Sequence, residues 1–215
     1  KRRPRTSPRR VFLYHLHMQE IDPSVFIHPS AQLYGKLSIG EGSSVWPNVV
    51  MRSEIQEIQI GRMSNIQDFV MIHTAYDGPT IVGDHCSITH HVTLHGCIVE
   101  DDCLIGIGAT IMDGARIGKG SIVAGGTFIP EGKEYPPYSV IMGSPGKVRA
   151  ERDNRSANRL NALVYHRNAS AYTDGNHRGW DGPEFQEWFA ATTNIVVVVA
   201  VVAVVVVVVL ILRLL

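Results

Sequence analysis

The chain has 215 residues, with 20 Lys plus Arg balanced by 20 Asp plus Glu and a formal net charge of zero. That balance argues against the basic footprint of a nucleic-acid-binding protein. Its three cysteines, Cys86, Cys97 and Cys103, have no CxxC spacing, which argues against a disulfide framework or thiolate zinc site and fits a reducing, cytoplasmic setting.

In chain order, residues 1–17 carry no acid and are rich in Arg. They read as sequence upstream of, or foreign to, the folded domain, with a fragment of an organelle-import peptide as the lesser reading. Residues 18–148 carry a different signal. Apolar residues recur at Ile27, Leu33, Ile39 and Val45, at Ile60, Ile66 and Ile72, and at Val82, Ile88 and Leu94. They then run unbroken from Val99 through Ile105, Ile111, Ile117 and Val123 to Ile129. A period of six fits neither an amphipathic helix nor a hairpin sheet. It fits a parallel β-helix, in which each hexapeptide supplies a short strand and a corner, and the apolar residue points into a narrow core. Three hexapeptides close a triangular coil, so residues about 18 apart stack at roughly 4.8 Å. Two short loops, near Glu54–Glu57 and at Tyr76–Pro79, interrupt the count. The cysteines fall at or near inward positions and read as small core fillers.

Residues 149–175 form the expected C-terminal helix, because Ala162, Tyr165, Ala169 and Tyr172 share one helical face. Residues 176–194 are a linker and 195–215 a Val-rich tail. Ile195–Leu212 is an apolar run of 18 residues, long enough to span a bilayer, with Trp180, Trp188 and Phe189 ahead of it as interfacial aromatics. The competing and favoured reading is a frame-shifted, low-complexity tail.

Of ten histidines, three stand out. Counting hexapeptides places Arg52, His73 and His95 on one face of successive coils, each directly after an inward residue. His90 falls on a neighbouring face near a corner, in the same kind of position as Gln67 one coil earlier. Side chains on different faces of one prism diverge. His73 and His95 can therefore share a metal, while His90 is better placed to reach a metal on an adjacent protomer, and a closed ring of three prisms would create three such sites.

The segments Gly61–Asp68 and Val70–His73 resemble the gamma-class carbonic anhydrases and their relatives. So do Thr89–Cys97, with its His-x4-His spacing, Ser44–Pro47 and Gly143–Lys147. The resemblance covers about Ile21 to Tyr172. It implies a left-handed parallel β-helix, a homotrimer, and a metal bound by His73 and His95 of one subunit with His90 of the next. Three neutral imidazoles on Zn²⁺ leave a fourth position for water, and Fe²⁺ or Co²⁺ would accept the same ligands. The implied activity is reversible hydration of CO2 to bicarbonate by a metal-bound hydroxide. Gln67 is placed beside the bound water with Asn65 close by. Arg52 has two readings, a bicarbonate contact or, favoured by the resemblance, a salt bridge to Glu54 or Asp68 along the trimer seam.

Three departures bear on activity. Arg52-Ser53-Glu54 stands where the family pattern has Arg-Gly-Asp, and Thr89 where it has glycine. The loop Thr74–Thr80 is short and holds one acid, Asp77, whereas the best-characterised gamma type has a longer acidic loop with a proton-shuttling glutamate. Two other classes share the prism. A hexapeptide acyltransferase would use one histidine as a general base beside a CoA thioester, and a non-catalytic scaffold subunit would only bind metal.

Overall fold

The computed structural model describes residues 19–193. The basic segment 1–17 and the apolar run Ile195–Leu212 lie outside the described residues. Among the described residues, no helix is long and apolar enough to cross a membrane. The chain divides into two units, Lys1–Ala169 and Ser170–Leu215. In the second, the segment expected as a linker, 176–194, is instead helical over residues 183–193, and Phe185 packs on Trp188 and Phe189 with ring centroids 5.8 Å apart. Tyr172, expected on the packing face of the C-terminal helix, falls in this unit and contacts His177.

The first unit is a parallel β-helix with three strand faces. One face stacks Gln32, Val50, Met71, Thr93, Thr110 and Phe128 in register. A second stacks Leu37, Ile58, Thr80 and their successors. The third stacks Ser44, Asn65, Ser87, Leu104 and Ile122. The six-residue period has the expected cause: Ile66, Ile72, Ile88, Leu94, Val99, Ile105, Ile111, Ile117, Val123 and Ile129 are all fully buried in one cluster. Each such side chain is worth about 1.5–3 kcal/mol in burial. Cys86, Cys97 and Cys103 are free thiols in the same core.

Two boundaries differ from the sequence expectation. No loop interrupts the chain at Glu54–Glu57; Val50–Ile60 is one strand. Its register shifts, with Ser53 opposite Gly35 and Ile58 opposite Leu37, so the extra residues are absorbed as a bulge opposite Lys36. The β-structure also continues past residue 148. Lys147–Glu151 folds back antiparallel on Ser139–Met142. All five of its residues are exposed, so no inward apolar residue marks it in the sequence.

The helix spans Arg155–Thr173; Asn154 is its N-cap, with its carbonyl accepting the Asn158 N–H at 2.9 Å, and an Asx turn leads in, Asp153 Oδ1 accepting the Arg155 N–H at 3.0 Å. It lies along the third strand face. The expected stripe is present, with Ala162 and Ala169 buried and the Tyr165 ring meeting Trp46 edge-on at 5.6 Å. Polar residues widen it. Asn158 donates to the Asp102 carbonyl at 2.7 Å, and His166 Nδ1 lies 2.8 Å from the Gly42 carbonyl. Arg159 grips the fully buried Asp102 carboxylate with two hydrogen bonds of 2.6 and 3.0 Å.

Candidate metal centre

The registers place Arg52, His73 and His95 side by side on consecutive coils, as the hexapeptide count requires. Their inward neighbours Met51, Ile72 and Leu94 are fully buried, which fixes the three outward side chains in one column. The His73 and His95 rings lie 4.9 Å apart, with His73 Nδ1 2.9 Å from His95 Nε2. They line a depression of about 340 Å³ together with Arg52, Glu54, Thr74 and Ala75; exposed Ile55 and Tyr76 form its apolar lip.

The loop Thr74–Thr80 folds tightly over this column. Ala75 N–H donates to the Gly78 carbonyl at 3.0 Å, and Ala75 packs against Gly96. A Cβ on Gly96 would stand 2.5 Å from that of Ala75, and Gly96 has a φ of +54°. Only glycine lets the loop lie flat beside His95.

His90 occupies the turn between the strands Ser87–Ile88 and Thr93–His95. The next residue, His91, has φ 59° and its ring stacks on Phe69 one coil below at 4.9 Å. That corner stack leaves His90 Nδ1 3.0 Å from Asp68 Oδ2. Asp68 therefore serves His90, and Arg52 pairs with Glu54.

Each of the three histidines has a carboxylate from an adjacent coil. Glu54 Oε2 lies 2.9 Å from His73 Nε2, and this hydrogen bond holds the Glu54 carboxyl below its usual range, with Arg52 adding to the effect. Asp68 serves His90, and Asp113 hydrogen-bonds His95 Nδ1. Asp113 was not legible as a site residue in the sequence. Its only signal is its position 18 residues, one coil, beyond His95.

Gln67 and Asn65 belong to the third face, under the helix, and are 2% and 1% exposed. Gln67 Nε2 donates to Asn65 Oδ1 at 2.8 Å, and Asn65 Nδ2 donates to Ser87 Oγ at 3.0 Å. Nearby, burial and the negative charge of Asp68 push the Tyr165 hydroxyl up to about 12. Within one chain, this pair and the His73–His95 pair thus occupy different faces.

Among the described residues of the single chain, no group of three His, Cys, Asp or Glu side chains comes together to hold a metal. The chemistry of the donor set nonetheless fits an ion between His73 and His95. If His95 Nδ1–H donates to Asp113, its Nε2 is left as a lone pair facing His73. His73 then faces a lone pair on one side and a carboxylate on the other, which calls for two N–H groups or a cation in place of one proton. His73 and His95 would hold such an ion through these two nitrogens, which lie 2.9 Å apart, and the ion would supply the positive charge there in place of a proton. Carboxylates behind imidazoles are the usual support of such ligands.

Residues 96–131 match the model described as bacterial transferase hexapeptide (six repeats). A Methanocaldococcus jannaschii protein assigned as a carbonic anhydrase is 41% identical over 147 residues, 67% of this chain and 92% of that protein. The mitochondrial gamma carbonic anhydrase 2 of Arabidopsis thaliana is 38% identical over 133 residues, 59% of this chain. The aligned region spans about half (48%) of that plant protein's length. A Bacillus cereus structure assigned as an acetyltransferase superposes with a TM-score of 0.70 at 33% identity, covering 73% of this chain and 92% of that one. With its repeat, its stacked histidine column and these relatives, the chain belongs to the gamma-carbonic-anhydrase-like family of hexapeptide-repeat proteins.

Proposed function

We propose that this protein catalyses reversible hydration of CO2 to bicarbonate at metal sites shared between the subunits of a homotrimer. The observation that carries the reading is the division of the histidines. Two face one another on a single face, the third stands on a corner, and each has its own carboxylate. One chain supplies two imidazoles to one place, so a second copy must bring the third.

His73 and His95 of one subunit and His90 of the next would hold the ion. Zinc held by three neutral imidazoles keeps one open position and lowers the pKa of water there to about 7; Fe²⁺ or Co²⁺ suits the same ligands. Asp113 and Asp68 fix the tautomers of His95 and His90, so that each presents a lone pair from its other nitrogen. Glu54 orients His73 and neutralises Arg52, which makes Arg52 a structural cation at the seam. Gln67 orients the reacting water through its amide, and Asn65 holds Gln67. Ile55 and Tyr76 give the depression an apolar lip, suited to a neutral, non-polar substrate. In the loop Thr74–Thr80 the sole acid is Asp77, so the released proton passes to buffer, and turnover should rise with buffer concentration.

Stopped-flow CO2 hydration by the full chain, reconstituted with Zn²⁺, Fe²⁺ or Co²⁺ and compared with His90→Ala, tests the reading. Metal-dependent activity that disappears in the variant supports it, and a metal-loaded trimer with no rate above buffer refutes it. The similarity to the Bacillus cereus structure favours acyl transfer as the second reading. Turnover of acetyl-CoA that survives removal of metal would select it.

A further inference from the structure

Beneath the helix, four polar side chains from three segments form one hydrogen-bonded line. Gln67 Nε2 donates to Asn65 Oδ1 (2.8 Å), Asn65 Nδ2 to Ser87 Oγ (3.0 Å), and Ser87 Oγ to Asn161 Oδ1 (2.8 Å). Asn65, Gln67 and Ser87 are each at most 2% exposed. A line of amides and hydroxyls can in principle run either way, because each amide can turn over and each hydroxyl can donate or accept. One neighbour breaks that symmetry. The Cys86 backbone carbonyl lies 3.4 Å from Asn65 Nδ2, and a carbonyl can only accept. An oxygen in that place would face the Cys86 oxygen, acceptor against acceptor, whichever way Ser87 turned, so the amide nitrogen stands there. Asn65 Oδ1 is then turned toward Gln67, which must answer with its Nε2. Among the described residues no group hydrogen-bonds to Gln67 Oε1. Thr127 Oγ1 is the buried side-chain oxygen left without a partner among the described residues, so Gln67 Oε1 is not sealed in and stays open to a donor from outside the chain.

We infer that Asn161 and Ser87 are positioning residues that hold this line in the direction the Cys86 carbonyl sets, so that Gln67 presents its carbonyl oxygen rather than its amide N–H groups to the shared site. The helix therefore has a part in the chemistry as well as in packing. Its Asn161 gives the Ser87 hydroxyl proton a destination, which leaves the Ser87 lone pairs for Asn65. This inference rests on the proposed site for the use made of Gln67, but the direction of the line does not.

The test uses the full-length, metal-loaded protein in five forms: wild type, Ser87→Ala, Asn161→Leu, Asn161→Asp and Arg159→Ala. Asn161→Asp keeps an acceptor for Ser87. Arg159→Ala loosens the same helix without touching the line. The first readout is hydrogen exchange of the Gln67 side-chain amide in selectively ¹⁵N-glutamine-labelled protein. One Nε2 proton should exchange slowly in the wild type, Asn161→Asp and Arg159→Ala, and about tenfold or more faster in Ser87→Ala and Asn161→Leu. The second is CO2 hydration, where kcat/KM should fall about five- to tenfold in those same two variants. The buffer-limited kcat should change less. Unchanged exchange in Ser87→Ala and Asn161→Leu overturns the inference, as does equal acceleration in Arg159→Ala. Exchange that follows the expected pattern in a protein with no hydration activity supports the line and refutes only the reading of the site it serves.

Discussion

Removing the Asp113 carboxylate should weaken metal binding without unfolding the protein. Asp113 sits on the coil next to His95 and hydrogen-bonds its Nδ1, and its side chain is 38% exposed. Replacing the carboxylate behind a ligating histidine typically costs 10–100-fold in metal affinity. Because water screens a partly exposed pair, the lower end applies, about tenfold or 1.4 kcal/mol for Asp113→Ala. Asp113→Asn retains an acceptor for the Nδ1–H and should lose less. The residue carries no core side chain, so the thermal midpoint of the metal-free protein should move little. Competition for Zn²⁺ against a chromophoric chelator measures the effect. Asp113→Ala that binds zinc as tightly as the wild type would refute the supporting role. A loss far beyond a hundredfold would show Asp113 to be a ligand itself.

Arg159→Ala removes the bidentate partner of the fully buried Asp102. With the Arg159 side chain 53% exposed, the cost should be about 1–3 kcal/mol, seen as a thermal midpoint several degrees lower; an unchanged midpoint would show that the helix docks without this pair. Burial pushes the Cys97 thiol and the Tyr165 hydroxyl up to about 12, so folding favours their protonated forms. That stability is complete below the ordinary thiol value of 9.0 and is lost as pH climbs toward 12. The unfolding midpoint should therefore fall steadily above pH 9, and a flat profile to pH 11 would contradict the assignment. For the same reason, iodoacetamide at pH 8 should leave Cys97 unmodified in the native protein and label it fully once the protein is denatured.

How much of this was legible in the sequence depended on what each residue faces. The inward positions were readable because a three-strand prism admits only apolar or small side chains, as at Ile66, Ile72 and Ile88; Ile27, on the terminal strand of its face, is the exception and is 36% exposed. The column Arg52–His73–His95 follows from the same count, since a residue after an inward one must point outward. The bulge at Glu54–Glu57 was not readable as a continuous strand, because a register shift leaves the apolar period broken in the same way a loop does. Asp113 was hidden for a different reason. Its role comes from His95 on the coil below, and in sequence it looks like any acid before a corner glycine. Asn158 and Asn161 were hidden too, because a helix stripe is sought in apolar residues, whereas this helix meets a face lined with Asn65 and Ser87 and must match them with amides. Strand Lys147–Glu151 is fully exposed and has no inward residue to announce it.

The central claim is that each site takes His73 and His95 from one subunit and His90 from its neighbour. Mixing subunits tests it directly. His90→Ala and His73→Ala should each be inactive as separate trimers. If they are co-expressed in equal amounts, a boundary is complete when its two-histidine side is intact and the adjoining corner still has His90. Each condition holds for half of the subunits, so about a quarter of the sites should be restored, with a matching fraction of tightly bound metal. Recovery of hydration activity and metal to about that level is the expected result. If the mixed trimers stay as inactive and metal-free as their parents, or if His90→Ala alone binds a full complement of metal, the shared site is refuted.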